Sequence, residues 1–286
     1  MAVLLGVLAA FSWSLHDLLA RSLAARVGPF RMAALVMISG GILLTGFVVY
    51  NSSIGQAPRA AVIEALLLGL AYGFGVSGLF KAFSLGPISL VAPITASYPI
   101  LVVLWGVANG LLPTPLQWTA VAATLIGAIV VGRSGTVDGG INAVAPGKLT
   151  TLILFCLLSA LGYSCSIVLG QTAAVSAGEI EVTWLSRATA LVSILPFVIG
   201  EVRPARLELR HWAGIFTMGA LDVAGVVAIN ASGHLPAKEF AAVGISAYGA
   251  IAVILAMLVL KEKVSGGQWL GIGLIAGGVA TLSLSQ

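Results

Sequence analysis

Ionisable side chains are scarce. Asp, Glu, Lys and Arg make up 8% of the 286 residues, against about a quarter in soluble domains. So few charges cannot wet the exterior of a water-soluble fold of this length. With 59% hydrophobic residues and a mean hydropathy of +1.09, there is more apolar surface than such a fold can hide. Cysteine is nearly absent. Cys156 and Cys165 share one apolar run and stand about 13 Å apart along a helix, too far for a disulfide. No CxxC pair, Gly-rich phosphate loop, HExxH, Gly-x-Ser-x-Gly or metal-ligand cluster occurs. Neither an enzyme nor a cofactor is therefore expected. A cleavable signal peptide is not expected either, because the first apolar run lacks a basic start and passes His16 and Asp17. The net charge of +4 is no nucleic-acid signal, since the 14 Lys and Arg residues sit in short clusters between apolar runs.

What remains is a membrane protein, with the lipid bilayer as solvent. A span needs about 20 apolar residues. Ten runs qualify: 2–21, 29–50, 60–83, 88–110, 115–133, 148–172, 180–200, 211–232, 239–260 and 266–284. They are numbered spans 1 to 10 below. The expected fold is all-α, with short connections and hence antiparallel neighbours. The segment 134–147 reads as a linker between a first half, 1–133, and a second, 148–286.

The halves match at an offset of about 150. Trp13-Ser14 falls on Tyr163-Ser164, Gly28 on Gly178, Tyr98 on Tyr248, and, one residue further on, Gln117-Trp118 on Gln268-Trp269. Five spans per half is an odd number, so the second half is expected to enter the membrane inverted. The basic residues agree. Arg21, Arg26, Arg31, Lys81, Arg133, Lys148, Arg203, Arg206, Arg210, Lys261 and Lys263 fall on one side, and Arg59, Lys238 and Arg187 on the other. That bias puts the odd-numbered connections in the cytoplasm and both termini outside. Corresponding connections also change sign: Arg21, Arg26 and Arg31 are matched by Gln171, Ser176 and Glu181.

Several motifs resemble the drug/metabolite transporter superfamily in its ten-helix form of two EamA-type repeats. They are Phe11-Ser12-Trp13-Ser14, Gly28-Pro29-Phe30-Arg31, Ala82-Phe83-Ser84-Leu85-Gly86-Pro87, Tyr98-Pro99, Leu260-Lys261-Glu262-Lys263-Val264-Ser265 and Gln268-Trp269-Leu270-Gly271. Two features depart from the family pattern: Leu111 and Leu112 replace an acidic residue after span 4, and the N-terminus is not basic. The resemblance, nearest to the YddG-like branch, implies a secondary transporter in a bacterial inner membrane. It would export small polar metabolites, best amino acids, by alternating access. A permease for drugs or other metabolites is the first alternative, and a non-transporting membrane enzyme or a channel the more remote one. A monomer is expected, with a dimer open.

Candidate substrate-binding residues lie deep in the spans. Asp222 is near the middle of span 8, where an acid costs several kcal/mol unless it is paired or wet. It is expected to line the substrate path, against the alternative of a protonated or backbone-capping acid that would tolerate neutralisation. Its counterpart at the 150-residue offset is Tyr72. Trp13, His16 and Asp17 share one helix face. For Asp17 a local pair with Arg21 is the simpler expectation, and for His16 a hydrogen-bonded place in the bundle. Trp13, Tyr72, Tyr98, Tyr163 and Tyr248 lie inside spans, whereas Trp118, Trp184, Trp212 and Trp269 lie at span ends, as interfacial residues do. The first set suggests a cavity with sparse polar points, although core packing explains any one of them. Pro93 and Pro99, with Gly244 and Gly249 in matching places, predict breaks in spans 4 and 9. Arg187 is expected to snorkel outward, and Gly69/Gly73 and Gly273/Gly277 to be helix-packing faces.

Overall fold

A computed structural model describes residues 1–51, 55, 57–86, 91, 94–134, 147–201, 207–261 and 263–285; the side chains of residues 21, 22, 24–26, 51 and 260 are not described. The described residues are helical, without strands. The helices are α1 (Ala2–Val27), α2 (Pro29–Asn51), α3 (Arg59–Phe83), α4 (Tyr98–Ala108), α5 (Pro115–Ser134), α6 (Leu149–Ala177), α7 (Glu179–Ile199), α8 (Leu209–Ala231), α9 (Phe240–Ile245), α10 (Tyr248–Leu260) and α11 (Gly266–Leu284). Among the described residues nine stretches are long and apolar enough to cross a membrane, counting α9 and α10 as one; α4 is a shorter apolar helix. Large apolar side chains such as Leu4, Leu8, Phe11, Ile42 and Leu195 lie exposed on the outside. In lipid that exposure has no hydrophobic cost. Most of the expected linker, residues 135–146, lies outside the described residues.

The connections follow local chemistry. One residue, Gly28, joins α1 to α2 at φ 88°, and one, Gly178, joins α6 to α7 at φ 83°. Only glycine holds that left-handed backbone without strain. The repeated Gln-Trp pairs are helix starts. Thr114 N donates to Gln117 Oε1 (2.9 Å) and Gln117 N to Thr114 Oγ1 (3.3 Å). Ser265 N donates to Gln268 Oε1 (2.8 Å) and Gln268 N to Ser265 Oγ (3.2 Å). Each is a reciprocal capping box that satisfies two backbone groups at the head of a helix.

The most extensive packing joins α3 to α6 and α7, α1 to α8 and α9, α2 to α8, and α5 to α11, while α2 and α7 also meet. Gly69 and Gly73 serve the close α3–α7 contact, where a Cβ would run into Ser186, Thr189, Ala190 and Ser193. Gly273 and Gly277 differ from expectation. A Cβ at either meets nothing within 4 Å, and both line a shallow outward groove between α5 and α11. The close contact of that pair uses Gly127 and Gly271 instead, where an added Cβ on either would lie 2.7 Å from the other's carbonyl oxygen.

Span 9 is not one continuous helix: α9 ends at Ile245, and α10 begins at Tyr248 after a turn at Ser246–Ala247. Span 4 turns at Ala96–Ser97 and resumes as α4 at Tyr98, with Pro99 in the first turn of that helix, where a missing N–H costs nothing. The breaks thus fall between Gly244 and Gly249 in span 9 and just ahead of Pro99 in span 4. Pro93 lies outside the described residues.

A polar centre where α1, α3, α7 and α8 meet

Four helices deliver one side chain each to the middle of the bundle. Asp222 of α8 is 4% exposed. Its Oδ2 accepts from Arg187 Nη1 of α7 at 2.6 Å. Its Oδ1 accepts from Trp13 Nε1 of α1 at 3.2 Å and from the Tyr72 hydroxyl of α3 at 3.1 Å. Desolvating two charges costs several kcal/mol per ion, offset only where geometry is good and the remaining valences are met. Asp222 meets that condition with three donors. Arg187 does not: its Nε and Nη2 are buried with no hydrogen-bond partner among the described residues.

Arg187 is therefore not a snorkelling residue. It is 4% exposed and points into the bundle. The readable signal was two opposite charges, Arg187 and Asp222, both inside apolar spans, because such charges pair.

Aromatic rings surround this pair. Tyr72 meets Tyr163 edge-on (centroids 6.0 Å apart), and Tyr163 meets Tyr98 (5.8 Å). Glycines let the rings in. A Cβ at Gly75 would lie 3.0 Å from the Tyr163 ring, and one at Gly225 would lie 2.8 Å from the Trp13 indole. The two contacts are the same contact 150 residues apart.

His16 and Tyr248 form a second group, about one turn along α1 from Trp13. The Tyr248 hydroxyl donates to Asp17 Oδ2, and His16 Nδ1 lies 2.7 Å from Asp17 Oδ1. Asp17 is thus engaged by His16 and by α10; the Arg21 side chain, its expected partner, lies outside the described residues. The Asp17 side chain is half exposed.

Two serines tie the broken spans to the centre. Ser14 Oγ lies 2.7 Å from Ala10 O in its own helix and 3.1 Å from Tyr248 O at the start of α10. Ser164 Oγ lies 2.7 Å from Ala160 O and 3.1 Å from Tyr98 O at the start of α4. In the sequence these serines mark only the repeat. Their role depends on where the breaks fall, which sequence spacing does not specify.

Fold and centre together define a multi-pass membrane protein whose polar groups converge between helices rather than at the lipid-facing surface. Comparison with known proteins gives the class. A model of the EamA-like transporter family matches residues 1–133 and 150–284, and the chain belongs to that family. The uncharacterized inner membrane transporter YedA of Escherichia coli is 26% identical over 265 residues, which cover 90% of this chain and 82% of that protein. The uncharacterized transporter sll1319 of Synechocystis is 27% identical over 239 residues, covering 80% and 68%. A solved crystal structure superposes with a TM-score of 0.82 at 22% identity, covering 99% of this chain and 96% of the other. That likeness concerns the fold alone. The family and these relatives are transporters, so the chain is a membrane transporter and not an enzyme.

Proposed function

We propose that the chain is a secondary exporter of amino acids in a bacterial inner membrane, built as two inverted five-helix halves, 1–133 and 148–286, that rock about a central site. Trp13, His16, Tyr72, Tyr98, Tyr163, Asp222 and Tyr248 line the path, and both termini lie outside the cytoplasm. The observation that carries the substrate reading is the Asp222–Arg187 pair. A site holding one buried charge of each sign, ringed by aromatic hydroxyl and indole donors, suits a small molecule that is polar and neutral overall.

The inverted-halves reading draws support from reciprocity. Ser14 reaches the carbonyl of Tyr248, and Ser164, its counterpart 150 residues on, reaches that of Tyr98, the counterpart of Tyr248. Packing is reciprocal too, with α3 on α6 and α7 and α8 on α1 and α2. The symmetry is not complete at matching positions. The Asp17 side chain is 50% exposed, whereas Ile167, its counterpart, is 6% exposed inside a core built from α1, α4, α6, α8 and α9. In the proposed orientation the exposed Asp17 lies in the cytoplasmic half of α1, where a path entered from the cytoplasm would pass.

Uptake into proteoliposomes across a panel of amino acids and unrelated metabolites, with and without a pH gradient, tests the reading. Saturable flux of amino acids bears it out. Saturable flux confined to other solutes would keep the transporter and remove the substrate class.

A further inference from the structure

Arg187 has five N–H donors on a rigid fork, and the Asp222 pair occupies one of them. The Nε and Nη2 donors are buried and unmatched by any acceptor among the described residues. Together they form the side-on edge of the guanidinium, which fits the two oxygens of a carboxylate. Asp222 is better satisfied. A carboxylate offers about four lone-pair sites, and Arg187, Trp13 and Tyr72 fill three.

The pair is not needed merely to join its helices. At the corresponding place in the first half, 150 residues earlier, Met37 stands for Arg187 and Tyr72 for Asp222. Met37 is 2% exposed in an apolar core to which Tyr72 also belongs. One half thus closes the position without charge, while the other buries two charges and leaves two donors over. Net charge narrows what can bind there. The pair is neutral, so an added simple anion would leave a buried net charge of −1 and an added cation +1. A zwitterion leaves zero, the arrangement with the smallest desolvation cost.

We infer that Arg187 is the carboxylate-reading residue of a zwitterion site: its Nε/Nη2 edge takes the substrate carboxylate, Asp222 holds the guanidinium through Nη1, and the neutrality of the pair requires the substrate to bring an ammonium of its own. This inference rests on the proposed amino-acid transport and adds a requirement. The substrate needs its carboxylate for contact with Arg187 and its ammonium for overall neutrality. Trp13 and Tyr72 position Asp222 through its other oxygen, and the substrate reaches the site on the side of α1 where Asp17 is exposed. A substrate side chain then lies among the rings of Tyr72, Tyr163 and Tyr98, so discrimination among amino acids is expected to be apolar and broad.

Counterflow in proteoliposomes tests this on the unaltered protein. Labelled L-leucine, L-phenylalanine and L-threonine are each competed with the parent, its amide (ammonium without carboxylate) and its N-acetyl form (carboxylate without ammonium). The amide is expected to compete about 10- to 100-fold less well than the parent, the effect of losing one charge-assisted hydrogen-bonded contact, and the N-acetyl form also less well, because it would leave a buried net charge. Arg187→Lys should keep a preference for the parent over the amide at reduced affinity, and Arg187→Gln should abolish it. An amide competing as well as the parent overturns the inference while amino-acid transport stands. Absence of counterflow with all three amino acids overturns the proposed substrate class and this inference with it. Should Arg187→Gln fail to fold, the competition series on the unaltered protein decides alone.

Discussion

Neutralising Asp222 separates a structural reading of the centre from a simpler one based on the isolated acid. If Asp222 stood alone in the membrane, Asp222→Asn would relieve a buried charge and hold or raise the melting temperature. The structure predicts the reverse. Arg187 is 4% exposed and bonded to Asp222 at 2.6 Å, and a guanidinium cannot shed its proton. Asp222→Asn therefore leaves an uncompensated buried cation, and breaking a buried pair this way costs about 3–5 kcal/mol. At about 2–4 °C per kcal/mol for a chain of this size, the melting temperature should fall by about 10 °C. Arg187→Met, which installs the residue found at position 37, should cost less, because the stranded carboxylate can take up a proton. The double variant should recover most of the loss, since replacing both charges of a buried pair is often close to neutral. All three should lose transport. Thermal unfolding in detergent, read by tryptophan fluorescence with size exclusion as a check on integrity, measures each. A melting temperature for Asp222→Asn within about 2 °C of the parent, or a double variant that loses the sum of both single effects, would refute the pairing argument.

Other perturbations probe separate parts of the arrangement. Gly225→Ala places a carbon 2.8 Å from the Trp13 indole, so Trp13 should be pushed off Asp222 and transport should drop several-fold while Gly273→Ala, which meets nothing within 4 Å, leaves flux unchanged; parallel uptake assays compare the two. Tyr248→Phe deletes the hydroxyl that Asp17 accepts and should lower transport with little change in melting temperature. Gly28→Ala forces a side chain into φ 88° and should destabilise by about 1 kcal/mol or more, seen as a lower melting temperature. A reporter active only in the cytoplasm should be silent when fused at Gln286 and active when inserted at Gly139; the opposite pattern would reverse the orientation and leave the fold intact.

The apolar spans were legible because length and hydropathy are one-dimensional properties, and nine of the ten proposed runs have a membrane-crossing stretch among the described residues. Breaks in spans 4 and 9 were legible as a tendency, from Pro99 and from Gly244 and Gly249. Their exact residues were not, because Ala96–Ser97 and Ser246–Ala247 turn where Ser164 and Ser14 reach the following carbonyls, which is tertiary information. Asp222 stood out by depth alone. Its partners were obscured for different reasons. Tyr72 and Trp13 carry no sign of their contact in the sequence, and a long side chain such as that of Arg187 can equally snorkel to the lipid interface.

That ambiguity bears on how such centres should be sought. Depth along a span counts residues, but a buried charge is explained only by its partner, and here the partner lies on the neighbouring helix, 35 positions away. The offset of 150 supplies a usable filter. Most repeat-related positions carry residues of like character: Gly75 and Gly225 admit a ring each, and Ser14 and Ser164 bridge a break each. Among the positions that differ, Asp222 matches Tyr72, Arg187 matches Met37, and Asp17 matches Ile167. Two of these three replacements meet in one ion pair, and the third lies one turn along α1 from Trp13, which donates to the same carboxylate. A duplicated scaffold needs its shared residues to fold and close, so the places where its two copies diverge toward charge are where a substrate-specific centre is to be expected.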